Sequence, residues 1–97
     1  MPTSPLSEAE ATKRLNALPE WRLENGEITR TVRLQDFRAA LAFVNQVGEL
    51  AEHAGHHPDI DVRYNKVRLA LVSHDAGGLT EKDFEMAGKI DQVEIEG

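Results

Sequence analysis

Ninety-seven residues make one domain, read here as spanning 1–97, with a core that is adequate but thin. The absence of cysteine excludes a disulfide framework and any thiolate metal site, and a net charge of −6 argues against nucleic acid as the main partner. The start of the chain lacks the basic region and apolar run of a signal peptide, and no apolar stretch approaches the roughly 20 residues that span a bilayer, so a cytoplasmic setting without membrane contact is expected.

Ser7-Glu8-Ala9-Glu10 has the form of a capping box. It predicts a short helix to about Leu18 that buries Ala11, Leu15 and Leu18 and ends before Pro19. Asn25-Gly26 is the strongest short hairpin signal, because both central residues of that turn need positive φ. It pairs Glu24 with Glu27, Leu23 with Ile28 and Trp21 with Arg30, and puts Leu23, Ile28 and Val32 on one face. From Asp36 to about Ala54, Phe37, Ala40, Leu41, Val44, Val47, Gly48 and Ala51 recur at helical spacing, with Phe43 and Leu50 widening the stripe. Gly55 suits the left-handed stop after that helix.

Asp59 to Tyr64 alternates, with Ile60, Val62 and Tyr64 on one face, and Val67, Leu69 and Leu71 continue the alternation after Asn65-Lys66. A loop follows at Ala76-Gly77-Gly78. Thr80-Glu81-Lys82-Asp83 then starts a last helix, with Leu79 and Phe84 placed as a hydrophobic staple. The order α-β-β-α-β-β-α predicts an α+β fold, a four-stranded antiparallel sheet with helices on one face. The opposite face mixes polar and apolar side chains, and an apolar part of it would be a natural dimer surface.

All four histidines lie between His53 and His74. With Asn65-Lys66 as a two-residue turn, Ile60 faces Leu71, Pro58 faces Ser73 and His57 faces His74. Opposed residues on one face have Cβ atoms about 4.5–5.5 Å apart. His56 precedes His57, and Glu52 stands one helical turn before His56. Three imidazoles and a carboxylate are thus expected at one end of the sheet. A dehydration needs one proton delivered to a departing hydroxyl and another removed nearby, and two histidines of opposite protonation state do both near neutral pH. A carboxylate such as Glu52 orients an imidazole and holds its tautomer.

Each residue also has a plainer explanation. His53 suits a helix C-terminus, Asp83 a helix cap, Glu52 a solvated helix face and Trp21 a half-buried strand position. The joint arrangement outweighs these. A metal held by His53, His56 or His57, and His74 is the rival chemistry, weakened because the helix stop at Gly55 turns His53 away.

Glu52-x-x-x-His56-His57-Pro58, then five residues to Tyr64, nine to His74 and eight to Asp83, resembles the signature of pterin-4a-carbinolamine dehydratases. Trp21, the Asp36-Phe37 helix start, Tyr64-Asn65-Lys66-Val67 and Gly78-Leu79-Thr80 extend the resemblance. It implies an antiparallel sheet with helices on one side and a homodimer or homotetramer. It also implies the removal of water from 4a-hydroxytetrahydrobiopterin or a related 4a-hydroxytetrahydropterin. The product is the quinonoid dihydropterin, a step in regenerating the pterin used by an aromatic amino acid hydroxylase, and neither metal nor organic cofactor is needed. By position His56, His57 and His74 match the family's active-site histidines, and Glu52 and Asp83 its acidic positions. Pro58 and the segment Ser73, His74, Asp75 and Ala76 line the pterin pocket, with Trp21 an aromatic near it. The implied roles make His56 and His74 general acid and base, His57 a binding group and Glu52 an orienting one. Other relatives serve as a dimerisation cofactor for a homeodomain transcription factor or as assembly factors. A protein-binding module with a vestigial pocket is therefore the alternative, against which the complete acid/base set argues.

Overall fold

The computed structural model describes residues 4–95. The ends of the expected domain, residues 1–3 and 96–97, lie outside them. The order is α1 (Glu8–Leu15), β1 (Arg22–Glu24), β2 (Glu27–Arg33), α2 (Phe37–Ala54), β3 (Asp59–Arg63), β4 (Lys66–Leu71) and α3 (Glu81–Asp91), with a single 3-10 turn at His74–Ala76. The strands form one antiparallel sheet in the order β1-β2-β4-β3, so the fold is α+β as the patterning predicts.

The first hairpin has the expected register. Leu23 opposes Ile28 and Glu24 opposes Glu27, with Asn25 at φ 50° and Gly26 at φ 80°. The Ser7 hydroxyl accepts from Glu10 N–H, and the Glu10 carboxylate accepts in return from Ser7 N–H. That bond, stronger to the ionised form, holds the Glu10 carboxyl below its ordinary range. The helix so capped is shorter than predicted. Beyond Leu15 the chain makes tighter bonds, Ala17 N–H to Arg14 and Leu18 N–H to Leu15, ahead of Pro19. Ala11 is buried, while Leu15 and Leu18 are only half-buried.

The helices cover the face that carries Ile28, Val32, Val67, Leu69 and Leu71, all buried together with Ala40, Phe43, Val47, Ala51, Ala87 and Ile90. The predicted stripe of α2 needs rotating. Ala40, Phe43, Val47 and Ala51 point inward, whereas Phe37 and Leu41 are 48% and 44% exposed. At about 100° per residue those two sit roughly a quarter-turn off the buried line, so α2 carries two apolar stripes rather than the one predicted. The other face of the sheet is charged: Arg22, Glu24, Asp59, Asp61, Lys66 and Arg68 are exposed there, around a buried Thr29 and Ala70. The expected apolar dimer surface is therefore not on that face.

The second hairpin corrects the predicted register. Asp59 pairs with Ala70, Ile60 with Leu69 and Arg63 with Lys66, so the turn is Tyr64-Asn65 rather than Asn65-Lys66. Tyr64 takes a positive φ of 52° and is exposed, off the strand face assigned to it. Asn65 prefers a turn over a strand, and its amide is used to hold Leu34 O at 3.1 Å. Moving the turn by one residue moves the pairing by two, which preserves the faces but displaces the strand ends.

The loop after β4 is a closed unit. Ser73 and Gly78 bridge through Ser73 N–H to Gly78 O at 3.1 Å and Gly78 N–H to Ser73 O at 3.2 Å. Leu6 N–H donates to Leu79 O at 2.7 Å, which lays the N-terminal segment across it. A Cβ added at Gly78 would meet the Pro5 ring at 2.9 Å. Gly78→Ala is therefore expected to destabilise the fold by about 1–3 kcal/mol in urea titration, because neither the ring nor the bridged loop yields freely. An unchanged midpoint would mean that the Pro5 segment lifts away at no cost.

Candidate active site

Four element ends meet at one end of the sheet: the C-terminus of α2, the start of β3, the end of β4 and the N-terminus of α3. The chain leaves α2 at Gly55, in the left-handed conformation at φ 63°. Gly55 N–H donates to Glu52 O at 3.3 Å and His56 N–H to Ala51 O at 3.2 Å, the paired bonds of a left-handed helix stop. The reversal brings the two residues after Gly55 back against the last turn of α2.

His57 consequently meets Glu52, its Nε2 lying 2.5 Å from Glu52 Oε2 with both side chains mostly exposed. His56 turns inward, where its Nε2 lies 2.6 Å from Asp83 Oδ1 and its side chain is 14% exposed. Asp83 is fully buried at 0%. Its other oxygen, Oδ2, accepts from Thr80 N–H and from the Ser73 hydroxyl, each at 2.9 Å. A buried carboxylate needs such partners, because an unpaired one costs several kcal/mol. The capping box at Thr80 thus serves the site as well as the helix.

The pairing of His57 with His74 predicted from the hairpin is overturned. Continuing the observed register sets His56, not His57, opposite Ser73, and His57 is engaged by Glu52 instead. His74 is exposed and opens the 3-10 turn, next to Ser73 in the chain and so one residue from the group that bonds Asp83. Asp75 and Ala76 follow on that turn and Pro58 is half-buried beside His57. Ser73, expected to line a pocket, is 2% exposed and its hydroxyl is committed to Asp83 and Thr80. Both oxygens of Asp83 are likewise hydrogen-bonded within the fold.

Trp21 lies elsewhere. It is 4% exposed, and its indole N–H donates to Asp91 at 2.9 Å, an acceptor shared with Arg30. Asp91 lies eight residues beyond Asp83, about 12 Å along α3. The expected Trp21–Arg30 neighbourhood is present, but not beside the histidines. His53 is exposed on a separate cleft with Gln46, Leu50 and Lys89. Among the described residues no three His, Asp or Glu side chains form a group suited to a metal ion. A cleft of about 190 Å³ beside His56 is lined by Ala54, Lys82, Glu85, Met86 and Lys89. The contact of Asp83 with His56 is not readable from the spacing of the capping box, which accounts only for the bond between Thr80 N–H and Asp83.

Two imidazoles held by carboxylates and a third, exposed imidazole on an adjoining turn stand at one end of the sheet of this α+β fold. Residues 4–93 match the family model described as pterin 4 alpha carbinolamine dehydratase, and the chain belongs to that family. A Chloroflexus aurantiacus relative, which bears the provisional name pterin-4-alpha-carbinolamine dehydratase, is 65% identical over 91% of this chain and 95% of its own length. A Roseiflexus sp. relative with the same provisional name is 53% identical over the same shares. The crystal structure of a transcriptional coactivator/pterin dehydratase from Brucella melitensis superposes with a TM-score of 0.86 at 36% identity, over 91% of this chain and 96% of that one. A pterin dehydratase-like RuBisCO assembly factor of the alpha-carboxysome shares the fold alone, with a TM-score of 0.59 at 19% identity over 73% of this chain and 82% of that one.

Proposed function

We propose that this protein is a hydro-lyase that removes water from 4a-hydroxytetrahydrobiopterin or a related 4a-hydroxytetrahydropterin. The observation that carries the reading is the pair of carboxylate-held imidazoles, His56 on Asp83 and His57 on Glu52, at the sheet end where His74 also stands. In the reaction the C4a–O bond breaks. One imidazolium protonates the departing hydroxyl, which leaves as water, and a neutral imidazole removes the N5 proton, giving the quinonoid dihydropterin. His56 and His74 take these two roles. His57, steadied by Glu52, binds and positions the ring, with Pro58, Asp75 and Ala76 beside it. One proton has then moved between the two histidines, and exchange with water through exposed His74 resets them.

The test is turnover of a freshly generated 4a-hydroxytetrahydropterin by purified protein, followed by the absorbance of the quinonoid product. A rate equal to the spontaneous dehydration would refute the reading. Because two imidazoles move both protons, the chemistry needs no metal and no organic cofactor. Turnover is expected to be unchanged after dialysis against EDTA, and a loss restored by a divalent cation would contradict this.

The same reading sets the enzyme in the cytoplasm as a homodimer or homotetramer, recycling pterin for an aromatic amino acid hydroxylase. No described helix is long and apolar enough to cross a membrane. The second reading, a dimerisation or assembly cofactor with a vestigial pocket, draws on the exposed Phe37 and Leu41 of α2. It requires a folded wild type without turnover, so the same assay separates the two.

A further inference from the structure

The hydrogen bonds around Asp83 have a direction that follows from counting protons. An ionised carboxylate only accepts. Thr80 N–H and Ser73 O–H therefore both donate to Oδ2, at 2.9 Å each. Ser73 has one hydroxyl proton, and that bond uses it. Its 2.8 Å contact with Thr80 Oγ1 must then run the other way, with Thr80 O–H donating to Ser73 Oγ. Thr80 Oγ1 accepts in turn from Lys82 N–H at 3.3 Å. Ser73, Thr80 and Asp83 are all buried, so water does not compete for these bonds. The chain runs one way, from the first turn of α3 through Thr80 and Ser73 into Asp83, and each bond polarises the next. The remaining oxygen, Oδ1, faces His56 Nε2 at 2.6 Å, so the proton of a neutral His56 ring lies on Nε2.

We propose that Ser73 is a positioning residue: the directed chain Thr80–Ser73–Asp83 keeps the His56 proton on Nε2, so that His56 meets its substrate through Nδ1. The substrate part rests on the dehydratase reading above, whereas the tautomer does not. In the folded chain the Nε2 face is closed by Asp83, and Nδ1 is the nitrogen left for proton transfer.

Long-range ¹H–¹⁵N spectra of the ligand-free protein, recorded where the His56 ring is neutral, are expected to show a proton-bearing Nε2 and a bare Nδ1. The opposite tautomer would overturn the proposal. Ser73→Ala is expected to lower kcat about 10-fold, the worth of one bond to a charged group, with KM unchanged and the His56 Nε2 signal displaced. Ser73→Thr, which keeps the hydroxyl, should restore both. A folded Ser73→Ala variant with unchanged kcat and an unchanged Nε2 signal removes Ser73 from the role. Should that variant not fold, Thr80→Ala against Thr80→Ser makes the same comparison one bond upstream, and equal Nε2 signals in the two overturn the chain. If the wild type does not turn over the pterin, the dehydratase reading fails while the spectrum still decides the tautomer.

Discussion

Asp83→Asn is expected to abolish most turnover, lowering kcat by about 10²–10⁴-fold, while leaving a folded protein. Asn has the shape of Asp but replaces one oxygen with a donor. Oδ2 already accepts two hydrogen bonds, from Thr80 N–H and Ser73 O–H, so the amide oxygen settles there. The NH₂ group then faces His56 Nε2, where two donors cannot meet. His56 must carry its proton on Nδ1 instead and presents the wrong nitrogen to the substrate. The stability cost is that of one charge-assisted bond, about 1–3 kcal/mol. Asp83→Ala strands Thr80 N–H, Ser73 O–H and His56 together, and is expected to cost about 3–5 kcal/mol. Kinetics and urea titration on both variants separate the two effects. Near wild-type kcat in a folded Asp83→Asn protein would show that the tautomer of His56 does not matter.

His74→Ala is the second large effect, with kcat lowered by about 10²-fold or more if this imidazole is one of the two proton-transfer groups. The structural cost should be small. His74 is exposed, and the ends of its loop are held by the Ser73–Gly78 bridge rather than by the imidazole. A surface change of this kind stays within about 0.5 kcal/mol. An unchanged unfolding midpoint with a collapsed kcat therefore reports chemistry rather than folding. Normal turnover in the same variant would remove His74 from the reaction and leave His56 and His57 to move both protons.

Much of this site was legible in the chain. The turn at Asn25-Gly26, the helix start at Asp36, the stop at Gly55 and the capping box at Thr80 are local signals, each decided by the φ preferences or hydrogen bonds of neighbours within four residues. They sufficed for the order α-β-β-α-β-β-α. The register of the second hairpin was not legible, because Tyr64-Asn65 and Asn65-Lys66 both read as turns. Both registers keep Val62 on the covered face, so hydrophobic alternation could not choose between them.

Spacing alone also left the partners of the histidines open. Glu52 stands five residues before His57, and the reversal at Gly55 closes that gap. Asp83 stands 27 residues from His56, and only the packing of α3 against α2 brings its carboxylate there. Trp21 shows the same limit: its indole partner, Asp91, stands 70 residues away and is not readable from the chain. The chain thus carries its chemical groups and its local turns in the open. Which imidazole each carboxylate holds, and therefore which nitrogen each histidine offers, depends on contacts between segments far apart in sequence, whose relative placement is set by burial of the shared core.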